Sequence, residues 1–125
     1  MSMVDVTGKP EVFREAVAKG LIRLKKETLG LIKKGCVEKG DVFNVARVAG
    51  VLAAKNTSGL IPLCHPLPLT SVGVDLGVVE GVGVECVATV RTRAQTGVEM
   101  EALVGVAVAL LTVWDMVKQY EKDEG

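Results

Sequence analysis

The sequence predicts an α+β fold, an antiparallel sheet with helices packed on one face. Two observations carry this. Apolar residues recur at every second position from Val72 to Val90, in two runs split by a turn. After Gly97 comes a long segment of almost unbroken apolar character. The first has the period of strands with one face in a core, and the second that of a buried helix. With 125 residues the chain is expected to form a single domain, 1–125, large enough to bury a core. Apolar residues make up 49% but aromatic ones only 3%, so Val, Leu and Ala must fill the interior.

Residues 12–24 mix β-branched and charged side chains. Alternation around residues 18–24 suggests a strand, with a helix as the competing assignment. Residues 26–32 read as a short helix ended by Gly35. Asp41, after Lys39-Gly40, is placed to cap a second helix, in which Val45, Val48 and Leu52 form an apolar stripe. Asn56-Thr57-Ser58-Gly59 ends it. Pro62, Pro66 and Pro68 stiffen residues 60–69 into a loop. Val72, Val74, Leu76 and Val78 then share one face of a strand. After a turn at Glu80-Gly81, Val82, Val84, Cys86, Ala88 and Val90 continue it, which makes a hairpin. Thr89, Arg91 and Arg93 fall on the other face. The closing helix runs from about Gly97 to about Tyr120. Its segment 102–113 is apolar nearly all round, so it needs cover on more than one side. That pattern predicts a subunit interface beside the sheet. The acidic tail, residues 121–125, is expected to be solvated.

Fifteen basic and fifteen acidic residues cancel, leaving no basic excess to neutralise a polyphosphate, and few aromatics are available for base stacking. Nucleic acid is therefore not an expected partner, whereas a small anion needs only one or two placed lysines. Cys36, Cys64 and Cys86 are widely spaced and contain no CxxC pair, which fits a reducing cytoplasm rather than a disulfide framework. One histidine without paired cysteines leaves no expected metal site, and no cofactor is implied. The amino terminus has no signal-peptide pattern. The apolar run 102–114 is too short to span a bilayer, so no membrane contact is expected.

Four groups can carry chemistry. His65, the only histidine, sits in the proline-clamped loop, and an imidazole on so stiff a segment suits a positioned proton carrier; the plain alternative is a packed loop residue. Lys39-Gly40-Asp41 opens a helix whose N–H groups and dipole favour an anion, although a simple cap explains it equally. Glu101 leads into an all-apolar segment, where an ionised group is costly without partners. Asp115 and Lys118, three residues apart, can pair near the end of the same helix. Glu101 and Asp115 are fourteen residues apart on nearly the same side, yet about 21 Å apart along the axis at ~1.5 Å per residue. If both serve one small reacting centre, two chains must assemble it.

Taken in order, Met3-Val4-Asp5-Val6, Lys39-Gly40-Asp41-Val42, Leu60-Ile61-Pro62-Leu63-Cys64-His65-Pro66, Thr96-Gly97-Val98-Glu99-Met100-Glu101-Ala102-Leu103 and Asp115-Met116-x-Lys118 resemble the cyclic pyranopterin monophosphate synthase family, molybdenum cofactor biosynthesis protein C. The resemblance covers nearly the whole chain. It implies a ferredoxin-like fold and a homohexamer, a trimer of dimers with the active site at a dimer interface. It also implies a small-molecule substrate, 3′,8-cyclo-7,8-dihydro-GTP, rearranged to cyclic pyranopterin monophosphate with loss of pyrophosphate. By match to the family's motifs, Leu63, Cys64, His65, Met100 and Glu101 line the substrate pocket. Asp115 is the acid–base residue, with Lys118 and Lys39 as basic partners, and His65 is a further proton carrier. Arg91 and Arg93 are additional candidates for phosphate charge, on charge alone. Gln95 stands where the family has lysine, and the family continues past Gly125 into a glycine- and lysine-bearing tail. Two rival readings follow: a non-catalytic oligomeric pterin- or nucleotide-binding member, and a structural assembly domain in which His65 fills the core.

Overall fold

Alternation builds the sheet. In the computed structural model, which describes residues 1–122, the elements are β1 (Val12–Arg23), α1 (Lys26–Lys34), α2 (Val42–Lys55), α3 (Thr57–Leu60), β2 (Ser71–Val79), β3 (Gly83–Ala94) and α4 (Glu99–Glu121). The strands form one antiparallel sheet in the order β1-β3-β2. Val84, Cys86, Ala88 and Val90 of the central strand stand opposite Val78, Leu76, Val74 and Val72 of β2, as the period-two pattern predicts. The same four face Ile22, Gly20, Ala18 and Ala16 of β1, so three alternating sets converge on one side. This pairing decides residues 12–24 in favour of strand. Gly81, at φ 71°, makes the hairpin turn, and Val82 lies in that turn rather than in β3.

Both long helices lie on that converged face. Gly20 admits α4: a Cβ there would stand 2.6 Å from Val106 Cγ1 and 2.9 Å from Leu110 Cδ1. Gly50 brings α2 against α4, since a Cβ there would meet the Gly105 carbonyl oxygen at 2.9 Å and Ala109 Cβ at 3.2 Å. This close crossing sets the orientation of α2. Its buried side is Val42, Ala46, Gly50, Ala53 and Ala54, while the bulkier Val45, Val48 and Leu52 are 45%, 60% and 53% exposed. The apolar stripe exists but faces outward, because the space between the helices admits only small side chains.

Among the described residues, three apolar surfaces stay uncovered. They are the α2 stripe, the far side of α4 with Leu103, Leu111 and Trp114, and the back of the sheet with Phe13, Val17 and Leu21. Although α4 is long and apolar enough to cross a membrane, half of its most apolar stretch is buried, and it packs on β1, β3 and α2. Glu121, expected in a solvated tail, ends α4. Its carboxylate accepts from the Lys25 N–H at 3.0 Å and from the Thr28 hydroxyl, closing the amino end of α1. Residues 123–125 lie outside the described residues. Gly35, at φ 69°, ends α1 as expected, and α2 stops at Asn56 before the single turn of α3.

Gly50→Ala gains helix propensity of about 1 kcal/mol yet pushes a methyl into backbone. Chemical denaturation should show a net loss of about 1–3 kcal/mol. A variant as stable as wild type would contradict the close crossing.

Candidate active site

The sequence-derived candidates gather at the two ends of α4. At its amino end, the Cys64 thiol donates to Glu101 Oε2 at 3.8 Å and joins the proline loop to the helix. The loop is tied to the sheet as well, through the Thr92 hydroxyl on the Pro68 carbonyl and the Thr70 hydroxyl on the Arg91 carbonyl. Glu101 is only 3% exposed. Burial pushes its carboxyl above the ordinary glutamate range, and the charge of Glu99 adds to this. Burial first, and then the Glu101 carboxylate, push the Cys64 thiol up too. Cys64 is therefore a neutral donor rather than a thiolate. Leu63 and Met100 are partly exposed on the loop and on the first turn of α4.

His65 turns toward the amino-terminal segment. Its Nε2 lies 2.7 Å from the Val4 carbonyl oxygen, an acceptor only, so Nε2 carries a proton and donates it. Residues 3–7, His65 and Gln95 line an open cleft. The Asp5 carboxylate accepts from the Thr7 hydroxyl at 2.5 Å and its N–H at 2.9 Å, which lowers the Asp5 pKa, with His65 a smaller influence. The Arg14 guanidinium reaches the carbonyls of Ala94 and Gln95 at 3.3 and 3.2 Å and anchors the segment entering α4. No periodicity marks residues 3–7 as part of a site. Arg14 does leave a signal, because it is a charge at a core-facing parity of β1, two residues before Ala16.

At the other end of α4, Lys118 Nζ lies 2.9 Å from Asp115 Oδ1, while Lys39 Nζ lies 2.8 Å from the Asp115 carbonyl oxygen and 3.7 Å from Oδ2. The two ammonium groups, Lys118 foremost, hold the Asp115 carboxyl below the usual aspartate range. Asp115 is open to solvent, its side chain 63% exposed. Asp41 caps α2 with its own carboxylate, accepting from the Asn44 N–H at 3.2 Å and the Asn44 amide at 2.7 Å. The α2 terminus is thus satisfied by a cap, and Lys39 serves the Asp115 cluster instead.

One uninterrupted helix separates Glu101 from Asp115, so the two groups do not meet within the chain. Angular position along the helix misleads about environment, since Glu101 is covered by the proline loop and Asp115 projects at an open end. Arg91 and Arg93 face the bare back of the sheet, opposite Glu15 and Phe13, and Arg91 Nε pairs with Glu15 Oε2 at 2.5 Å. In one chain they stand on the opposite side of the sheet from α4. Among the described residues, no group of three His, Cys, Asp or Glu side chains is placed to hold a metal ion.

A sequence model of the MoaC family matches residues 3–124. The chain is 60% identical over 122 residues to a probable cyclic pyranopterin monophosphate synthase of Aeropyrum pernix, covering 98% of this chain and 83% of that one. Proteins with the same description from Thermococcus kodakarensis and Sulfolobus acidocaldarius are 58% and 55% identical, over 99% and 98% of this chain and 79% and 85% of theirs.

Two titrations follow from the opposed environments. Because the folded chain holds the Glu101 proton more tightly than the unfolded chain does, this residue's contribution to stability falls as pH rises from the ordinary glutamate pKa through the raised one. Glu101→Gln should melt higher than wild type at pH 7 and lose that advantage near pH 4; an equal difference at both would sink the assignment. In an NMR titration Asp115 should ionise below the ordinary aspartate range and move upward in Lys118→Ala.

Proposed function

The chain belongs to the MoaC family, and on that premise we propose how its two half-sites serve the synthesis of cyclic pyranopterin monophosphate. The protein is a lyase of molybdenum cofactor biosynthesis and acts on a small molecule. In this reading the substrate is 3′,8-cyclo-7,8-dihydro-GTP and pyrophosphate is released. The observation that carries the arrangement is the division of the candidate residues between opposite ends of one helix, about 21 Å apart at ~1.5 Å per residue. A complete site then takes the His65–Glu101 end from one subunit and the Lys39–Asp115–Lys118 end from another.

The two ends suit different parts of the reaction. Ring opening and reclosure require proton transfers. With Nε2 of His65 donating to Val4, Nδ1 is the nitrogen left to gain and lose a proton. Glu101, buried and inclined to hold its proton, can donate where Asp115 cannot. Asp115 begins as a carboxylate, so its first act is to accept. Forming the cyclic phosphate displaces pyrophosphate and moves negative charge onto the leaving group. Lys39 and Lys118 supply two fixed positive charges for it. Leu63, Cys64 and Met100 shape the pterin end, with Cys64 as a neutral wall. Arg91 and Arg93 are not needed in this scheme.

The three uncovered apolar surfaces support a homo-oligomer, since one dimer contact leaves some of them bare. The proposed assembly is a hexamer, a trimer of dimers. Element order β-α-α-α-β-β-α and sheet order β1-β3-β2 fit a ferredoxin-like unit up to its fourth strand. The proposed location is the cytoplasm. The non-catalytic reading is not favoured, since every matched acid–base residue is present.

The protein should release pyrophosphate and a pterin from the freshly made cyclic dihydro-GTP substrate. Lys39→Ala, His65→Ala, Asp115→Ala and Lys118→Ala should each lower kcat/KM by on the order of 10²–10⁴. Absence of product with wild type would overturn the reading. Mixing Glu101→Gln with Lys118→Ala subunits and reassembling them should restore activity neither has alone; no recovery would place each site within one chain.

A further inference from the structure

The loop before α2 and the last turn of α4 meet at a contact that the proposed chemistry does not use. Val37 anchors this loop in the core, and the Gly40 N–H donates to the Val37 carbonyl at 3.1 Å, closing a turn with Glu38 and Lys39 at its centre. Gly40 stands at φ 120°, in the region that favours glycine. From outside the loop, the Glu38 N–H donates to the phenolic Oη of Tyr120 at 3.0 Å. The Tyr120 ring is half-buried against the core, and the next residue, Glu121, is held by the Lys25 N–H and the Thr28 hydroxyl. The Oη is therefore a fixed point, one residue from Lys39.

We propose that Tyr120 is a positioning residue for Lys39, holding the turn so that the ammonium stays against Asp115. The proposal rests on the reading that Lys39 serves the phosphate end of the site. Lys39 is an exposed, flexible side chain whose reach to the Asp115 carbonyl depends on where its backbone stands. A shift near 1 Å in such a group is enough to cost activity. The Glu38 N–H is itself exposed, so water satisfies it when Oη is lost. Removing the hydroxyl should therefore change stability little and the placement of Lys39 more.

Tyr120→Phe keeps the ring and deletes the acceptor. Its melting midpoint should stay within a few degrees of wild type. Its kcat should fall about three- to tenfold, the equivalent of one hydrogen bond, with KM held within about twofold. Without substrate, an amine-reactive label read by mass spectrometry should modify Lys39 faster than in wild type, with Lys118 unchanged. Glu38→Pro removes the donor and puts the ring Cδ in its place against Oη, which forces the turn away from Tyr120. It should raise Lys39 labelling and lower kcat at least as much as Tyr120→Phe. If Tyr120→Phe fails to fold, this second variant decides. Unchanged kcat and unchanged Lys39 labelling in a folded variant would overturn the proposal. An inactive wild type would overturn the function above, and the labelling would still decide whether Tyr120 places Lys39.

Discussion

Everything in this fold depends on α4 passing close to two neighbours at once. Gly20 lets the helix settle on the sheet, and Gly50 lets α2 settle on the helix, with backbone and methyl groups nearly touching at Gly105 and Ala109. A core built mostly of Val and Ala has few large side chains to bridge wide gaps. It reaches interior packing density by bringing backbones together. Small residues therefore face inward on α2, and the larger Val45, Val48 and Leu52 are left outside. The same choice that closes the monomer's core leaves its surface apolar.

An uninterrupted helix of 23 residues also separates the chemistry. Its amino end is roofed by the proline loop, and the carboxyl of Glu101 loses water there without gaining a cation among the described residues. Its other end projects into the open, where Asp115 keeps its water and gains two lysines. Two carboxylates on one helix are thereby driven in opposite directions, one toward holding a proton and one toward losing it. Such a pair is the usual basis for dividing acid and base roles. In the proposed assembly, the uncovered faces that bring subunits together also bring these opposed ends together.

Much of the fold was legible in residue order. The hairpin, the glycine ending α1, the Asp41 cap and the extent of α4 all arise from local rules of period and capping. The candidate site residues were legible as motifs, and the pairing of Asp115 with Lys118 follows from helical spacing alone. Three features were not. The outward face of α2 depends on the gap to α4. Glu121 serves as a cap for a helix more than ninety positions earlier. His65 meets the amino-terminal segment through a hydrogen bond to the Val4 backbone carbonyl, which no side-chain pattern encodes.

By itself, the sequence determined the hairpin, the three longer helices, the core face of the hairpin and the chemical inventory of the candidate site, because these depend on period, capping and residue identity. Pairing with β3, by contrast, decided that residues 12–23 are a strand. Tertiary structure alone decided which apolar face of α2 is buried, which carboxyl is covered, and that Lys39 turns to Asp115 rather than to its own helix terminus. Those outcomes depend on distances between segments remote in the chain. Close packing sets these distances, and local preferences do not encode them.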